Sequence, residues 1–247
     1  MMQLGLGPQD GNQLVSAIQQ FGVAPGARWM MQAELEGAKQ ALETGVYVTW
    51  RSEKSGQDCV RVGPRHRCFC GHRYSDHRPL APPPPVRAAA AAATAAAAAT
   101  AAPCLSCACR RFEVVPTRPE EVGAWWLPRR KGFDVRAWRA KCKCGHAHDE
   151  HDPNRRSCNL CVGCKTFASD YCCLLCNGSQ EEHTLAVETE QARLAAGRPV
   201  REAFYPLAEA PALQAQVFAQ DNGGGGDGPY VRRRPSSGGG GGRGGAL

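Results

Sequence analysis

Two stretches of this chain share one spacing, and it constrains the fold more than anything else in the sequence. Cys68, Cys70, Gly71, His72 and His77 spell C-x-C-G-H-x4-H, and Cys142, Cys144, Gly145, His146 and His151 repeat it. Three cysteines and then a Phe follow each copy. They are Cys104, Cys107 and Cys109 before Phe112, and Cys158, Cys161 and Cys164 before Phe167. A thiolate and an imidazole two residues apart, with a small Gly between them, can turn tightly onto one cation. Zinc suits such a set, being soft enough for sulfur and readily tetrahedral. Disulfides are the competing reading, but a disulfide framework gives histidines in register with cysteines nothing to do. The spacing therefore predicts structural zinc.

Composition agrees with a metal-stapled fold. The Pro82–Pro85 run, the alanines between Ala88 and Ala102 and the Gly-rich stretch from about Ala219 are poor core material, and aromatics are only 7% of the 247 residues. Small cores are commonly held by metal or disulfide. The expected fold class is a small α+β, irregular zinc-stapled cysteine/histidine-rich domain with N-terminal helices, a short hairpin and a disordered C-terminal tail. It divides into a helical segment over 1–45, a duplicated zinc-binding domain over 46–200 with an Ala/Pro insert at 79–103, and a disordered tail over 201–247. No basic-then-apolar leader opens the chain and its one long apolar run is alanine, so neither a signal peptide nor a transmembrane helix is expected. Without a secretory route, the fourteen cysteines read as reduced metal ligands in the cytoplasm or a compartment continuous with it.

In chain order, Leu14, Ile18 and Phe21 predict a helix closed by Gly22. Met31, Leu35, Ala38 and Leu42 predict the buried stripe of a second helix over 27–44, capped by Gly45. Residues 46–51 and 58–62 read as a hairpin. Cys59 and His66 fall outside the repeat and read as structural. The insert lengthens the connection between His77 and Cys104 well beyond its counterpart between His151 and Cys158, at a loop-closure cost of about 1.3 kcal/mol. Glu113–Val115 is a short strand, and Pro119 opens a short helix. Trp125, Trp126, Phe133 and Trp138 form the densest aromatic stretch and are expected to build the core between the metal modules, with a helix ending at Lys141. Cys173, Cys176 and His183 form a third ligand group, with a fourth ligand expected from the preceding cysteine cluster. Cys172 reads as a small buried apolar residue, His148 lies off the repeat, and a helix is expected over 183–196. Seven ligands in each copy and three more make a ceiling of four tetrahedral sites, so three or four Zn2+ ions are expected.

The formal charge is +7, and residues 104–145 concentrate it, with ten Lys/Arg against four acids. Such a face either attracts RNA or an acidic protein surface or is the solvated surface around a metal core.

Several stretches resemble the little-characterised eukaryotic proteins named "family with sequence similarity 221". They are Ala41–Tyr47, the Cys68–His72 module, Arg118–Gly123 through Trp126-Leu127, Gly132–Asp134, Ala137–Cys142, and Cys173 and Cys176 with Glu181–Thr184. The resemblance runs from about residue 30 to residue 200, and the Ala/Pro insert and Gly-rich tail depart from it. It implies an intracellular cysteine-rich protein with no particular reaction, and a ciliary or flagellar role.

The expected function is a non-enzymatic structural or protein-interaction module with a protein partner and no membrane or small-molecule substrate. RNA binding through the 104–145 segment and Arg/Gly tail is the alternative, with weak binding expected because the tryptophans read as buried. A ubiquitin-ligase-like zinc domain ranks lower, since the motif lacks the leading C-x2-C and the C-x-H-x2-C centre of such ligases. A metallohydrolase ranks last. Asp149 and Glu150 stand beside His151, but without the H-E-x-x-H arrangement.

Overall fold

The computed structural model describes Val23, residues 26–79 and residues 102–219. The helix expected before Gly22, most of the Ala/Pro insert and the Gly-rich stretch after residue 219 lie outside the described residues.

Helix α1, Ala27–Thr44, ends where expected. Gly45 takes a φ of 69° and its amide donates to the Ala41 carbonyl at 2.8 Å. Its buried face differs from the expected one. Ala33, Gly37, Ala38 and Ala41 are buried, whereas Met31, Leu35 and Leu42 are only half-buried. The cause is a close backbone approach. A Cβ on Gly63 would lie 2.5 Å from the Gly37 nitrogen, and one on Gly37 would lie 2.9 Å from the Arg61 carbonyl oxygen. Only small side chains let the helix sit this low on the chain that leaves the hairpin.

Strands β1 (Val46–Ser52) and β2 (Asp58–Arg61) form the expected hairpin. Two short strands, β3 (Arg67–Cys68) and β4 (Val114–Val115), pair antiparallel and tie the first copy of the motif to the segment after its cysteine cluster. The long β5, His183–Thr189, then pairs antiparallel along the whole of β1, from Val46 opposite Thr189 to Ser52 opposite His183. The helix expected over 183–196 is therefore confined to α2, Glu190–Ala195. Three physical reasons favour the strand. Leu185 and Val187 alternate inward, Thr184, Val187 and Thr189 are β-branched, and the hairpin leaves one edge of β1 unpaired. Thr189 ends the strand as the N-cap of α2, its side chain accepting from the Ala192 amide.

Arg193 of α2 is buried, and its guanidinium donates to Asp58 at 2.9 Å and to Glu188 at 2.8 Å. Arg51 reaches the same two carboxylates at 2.6 Å each. Burial opposes their ionisation, but Arg51 and Arg193 outweigh it and hold both below the usual carboxylate range. This network ties the three-stranded sheet to α2.

Structure continues past residue 200, into the stretch assigned to the tail. A turn at Arg201–Phe204 buries Phe204 edge-on against Tyr47 at 4.8 Å, and helix α3 covers Pro211–Ala219.

The aromatic stretch expected as core is peripheral. Trp126 is 59% exposed, Trp125, Phe133 and Trp138 are half-buried, and the helix expected before Lys141 is one turn, Val135–Ala137. The core is built instead by Phe69, Phe112, Phe167, Val48, Trp50, Val114, Leu185 and Val187, interleaved with the cysteines of the repeat. Among the described residues, no helix is long and apolar enough to cross a membrane.

Candidate metal centres

Both copies of the motif fold alike. Gly71 and Gly145 adopt φ of 84° and 85°, conformations open mainly to glycine, so each chain reverses tightly after its second cysteine. The Cys68 amide then donates to the His72 carbonyl at 2.8 Å, and Cys142 to His146 at 2.9 Å. Single 3-10 turns, Tyr74–Asp76 and His148–Glu150, carry the chain to the second histidine. A carboxylate closes each turn, Asp76 accepting from the Arg73 amide at 2.9 Å and Glu150 from the Ala147 amide at 2.7 Å.

The ligand atoms converge. With Zn–S about 2.3 Å and Zn–N about 2.0–2.1 Å, a tetrahedral site has edges of about 3.8 Å between sulfurs and about 3.5–3.6 Å from sulfur to nitrogen. In the first copy, Cys68 Sγ lies 3.8 Å from Cys109 Sγ, and Cys70 Sγ lies 3.5 Å from His72 Nδ1 and 3.6 Å from His77 Nε2. In the second, Cys142 Sγ lies 3.8 Å from Cys164 Sγ, and Cys144 Sγ lies 3.5 Å from His146 Nδ1 and 3.6 Å from His151 Nε2. Cys158 Sγ to His146 Nδ1 is 3.5 Å, and Cys164 Sγ to His151 Nε2 is 3.6 Å. The donor atoms thus already stand on the edges of metal-sized tetrahedra. All fourteen cysteines are unpaired thiols. Crowding by Cys109 and Cys68, and then burial, pushes the Cys70 thiol far above its ordinary range. Sulfur atoms this close cannot all ionise without a cation among them.

Surrounding groups fix the ligands as metal sites require. Nδ1 of His77 lies 2.7 Å from the Ala102 carbonyl and Nδ1 of His151 2.8 Å from the Ala147 carbonyl, which orients Nε2 toward the cysteines. Backbone amides point at sulfur, from Ser106 to Cys104, Leu160 to Cys158, Glu113 to Cys68 and Ala168 to Cys142, at 3.3–3.4 Å. Such amide donors stabilise thiolate. The Phe after each cluster packs edge-on against the Nε2 histidine, Phe112 on His77 at 5.0 Å and Phe167 on His151 at 5.2 Å. Phe69 joins the copies, lying 5.1 Å from Phe167 with the Arg156 guanidinium 3.7 Å over its ring.

The third group adopts the same local conformation, which the sequence reading did not detect. Asn177 stands in the left-handed region at φ 56°, Cys173 donates to the Gly178 carbonyl at 2.8 Å, and a 3-10 turn covers Gln180–Glu182. Glu182 accepts from the Ser179 amide at 2.9 Å, and Nδ1 of His183 lies 2.7 Å from the Ser179 carbonyl. The signal was a Cys seven residues before a His with an acid just before that His, as in Cys70–Asp76-His77, Cys144–Glu150-His151 and Cys176–Glu182-His183. One extra residue between the cysteines, and Gly178 where the others carry His72 and His146, hid the likeness.

The fourth partner of this group is Cys59 of β2, rather than a cysteine of the preceding cluster. Cys59, Cys173, Cys176 and His183 come together with their ligand atoms within 4.8 Å of one another. Cys176 Sγ lies 3.2 Å from His183 Nε2, somewhat tighter than the other edges, and Trp50 stacks on His183 at 6.0 Å. Cys59 and His183 belong to the two strands flanking β1, so this centre clasps the sheet. Cys172, expected buried, is exposed. His66 is structural, with Nδ1 accepting from the Gly63 amide at 3.0 Å, and burial pushes it down to about 4. His148 packs edge-on against Phe69, and burial likewise pushes it down to about 4.

No solved structure matches the chain. Protein FAM221B of Homo sapiens is 37% identical over 176 residues, covering 69% of this chain and 39% of the relative. Protein FAM221B of Rattus norvegicus is 35% identical over 178 residues, covering 69% of this chain and 31% of that relative. Protein FAM221A of Mus musculus is 32% identical over 162 residues, covering 64% and 44%. The chain thus spans less than half the length of these curated relatives. The family described as Protein FAM221A/B matches residues 35–123 and 126–218, across all three centres: the chain belongs to the FAM221 family.

Proposed function

We propose that this chain is a non-enzymatic zinc-stapled module that presents a surface to a protein partner. One observation carries the reading. Four of the ligand groups hold four protein ligands, and Cys109, 3.8 Å from Cys68, supplies a fourth to Cys68, Cys70 and His77, which leaves no position for the water a catalytic zinc keeps. Nearby carboxylates are otherwise occupied, Asp149 with Arg139 at 3.3 Å and Glu150 with its own turn. The metal-bound loops also carry exposed apolar side chains. Leu105 lies between Cys104 and Cys107, Leu160 between Cys158 and Cys161, and Val162, 89% exposed, between Cys161 and Cys164. Ligand bonds that hold such loops rigid reduce the entropy lost when a partner covers them. Reduced thiols fit a cytoplasmic or ciliary setting. The test is affinity capture from native extract with and without chelator, comparing wild type with Leu160→Ser/Val162→Ser. A specific partner retained only by the wild-type, metal-loaded protein is expected; capture indifferent to metal and to both substitutions contradicts the reading.

RNA binding gains one observation over the sequence reading, because Trp126 is exposed near exposed Arg129, Arg130 and Lys131. Stacking and phosphate contacts would both be available there. Three arginines of the segment are already paired, Arg111 with Glu113, Arg118 with Glu120 and Arg139 with Asp149. Binding weaker than about 1 μM at physiological salt is expected, in the non-specific range. Submicromolar, sequence-selective binding abolished by Trp126→Ala in folded protein would make RNA the primary partner.

A further inference from the structure

We propose that each copy of the repeated motif binds two metal ions joined by one shared thiolate, Cys70 in the first and Cys144 in the second, so that the chain holds five ions. The inference rests on the metal-binding reading above and goes beyond it in stoichiometry and ligand assignment. The residues group themselves this way. In the second copy Cys144 belongs to two groups at once, one with Cys142, His151 and Cys164 and one with His146, Cys158 and Cys161. In the first copy Cys70 belongs both with Cys68 and His77 and with His72, Cys104 and Cys107. Cys109, 3.8 Å from Cys68 as Cys164 is from Cys142, completes the former.

Two tetrahedra sharing one corner have seven corners, and each copy offers seven ligands. The shared sulfur stands at edge distance from nitrogens of both tetrahedra, 3.5 and 3.6 Å in each copy. A thiolate has lone pairs enough to bridge two cations. Charge points the same way. Five thiolates around one dication leave three negative charges in a cluster that is mostly buried in the first copy and half-buried in the second, whereas two dications leave one. Isolated buried charge is strongly disfavoured.

The third group is an internal control. Where the copies place His72 and His146, it has Gly178, whose added Cβ would meet Cys176 Sγ at 3.2 Å. Without that histidine and without a following cysteine cluster, it assembles four ligands and one site.

Bridging has a spectroscopic signature that requires no mutation. The full chain, loaded with 113Cd under reducing conditions, is expected to give five resonances. Four should form two pairs split by cadmium–cadmium scalar coupling through the shared sulfur, with the fifth uncoupled. Native mass spectrometry of the zinc form should give five ions per chain. Four or fewer ions, or five uncoupled resonances, would overturn the bridges and leave the metal-binding reading standing. A folded chain that takes up no metal would overturn both.

Discussion

Single residues decide what the third centre is. In the sequence Cys59 falls outside the repeat and reads as structural, with no ligand spacing around it. Only the pairing of β1 with both neighbours brings it to Cys173, Cys176 and His183. Cys59→Ser is therefore expected to lower metal content by one ion per chain and to reduce thermal stability. Cys172→Ser, at an exposed position outside the clusters, should change neither. Elemental analysis beside a thermal melt checks both. The repeat ligands were legible because their spacing is local and recurs. The Cys59 ligand was not, because it depends on strand register across the sheet.

At the scale of elements, backbone proximity overrode side-chain hydrophobicity. Helix α1 was legible in extent from its apolar spacing and Gly45, yet its buried face was not. Met31, Leu35 and Leu42 look like the better core, but contact with residues 61–63 selects Ala33 and Gly37, and Ala38 and Ala41 pack with Tyr47 and Phe204. Gly63→Ala would force apart two backbones and is expected to destabilise by about 1–3 kcal/mol, the usual cost of overpacking. Metal content should survive, because no ligand belongs to α1. Denaturant unfolding with a parallel zinc assay measures the two effects separately. Strand β5 is a similar case. Its alternation was visible in the sequence, but the edge of β1 that claims it was not. The Trp125–Trp138 stretch misled for the opposite reason. Its large aromatics are flanked by exposed cations, and the core volume they seemed needed for is filled by cysteines and by Phe69, Phe112 and Phe167.

Across the whole molecule, the candidate metal centres occupy the place of a larger apolar core. The first centre is tied by β3 and β4 to the segment after Phe112, the second packs on the first through Phe69 and Phe167, and the third clasps the sheet. The insert after His77 joins two ends that are already held. The Arg78 amide donates to the Pro103 carbonyl at 3.0 Å, and the Ala102 carbonyl orients His77. Deleting Pro82–Thr100, which spares that carbonyl, is expected to leave metal content and melting temperature unchanged. Extending the deletion through Ala102 should weaken the first centre. Calorimetry of the two deletions, with metal analysis, separates a dispensable connection from a structural one.

In the proposed reading, metal holds the fold. Structural zinc in small peptides contributes about 10–16 kcal/mol of apparent binding free energy, which matches or exceeds the roughly 5–15 kcal/mol total stability of a typical domain. The most direct measurement is thermal unfolding of protein purified under reducing conditions, with and without chelator, beside its elemental analysis. Near five zinc ions per chain and loss of the cooperative transition as chelator removes them are expected. One ion or none per chain, or an unchanged melting temperature once the metal is gone, would contradict the account.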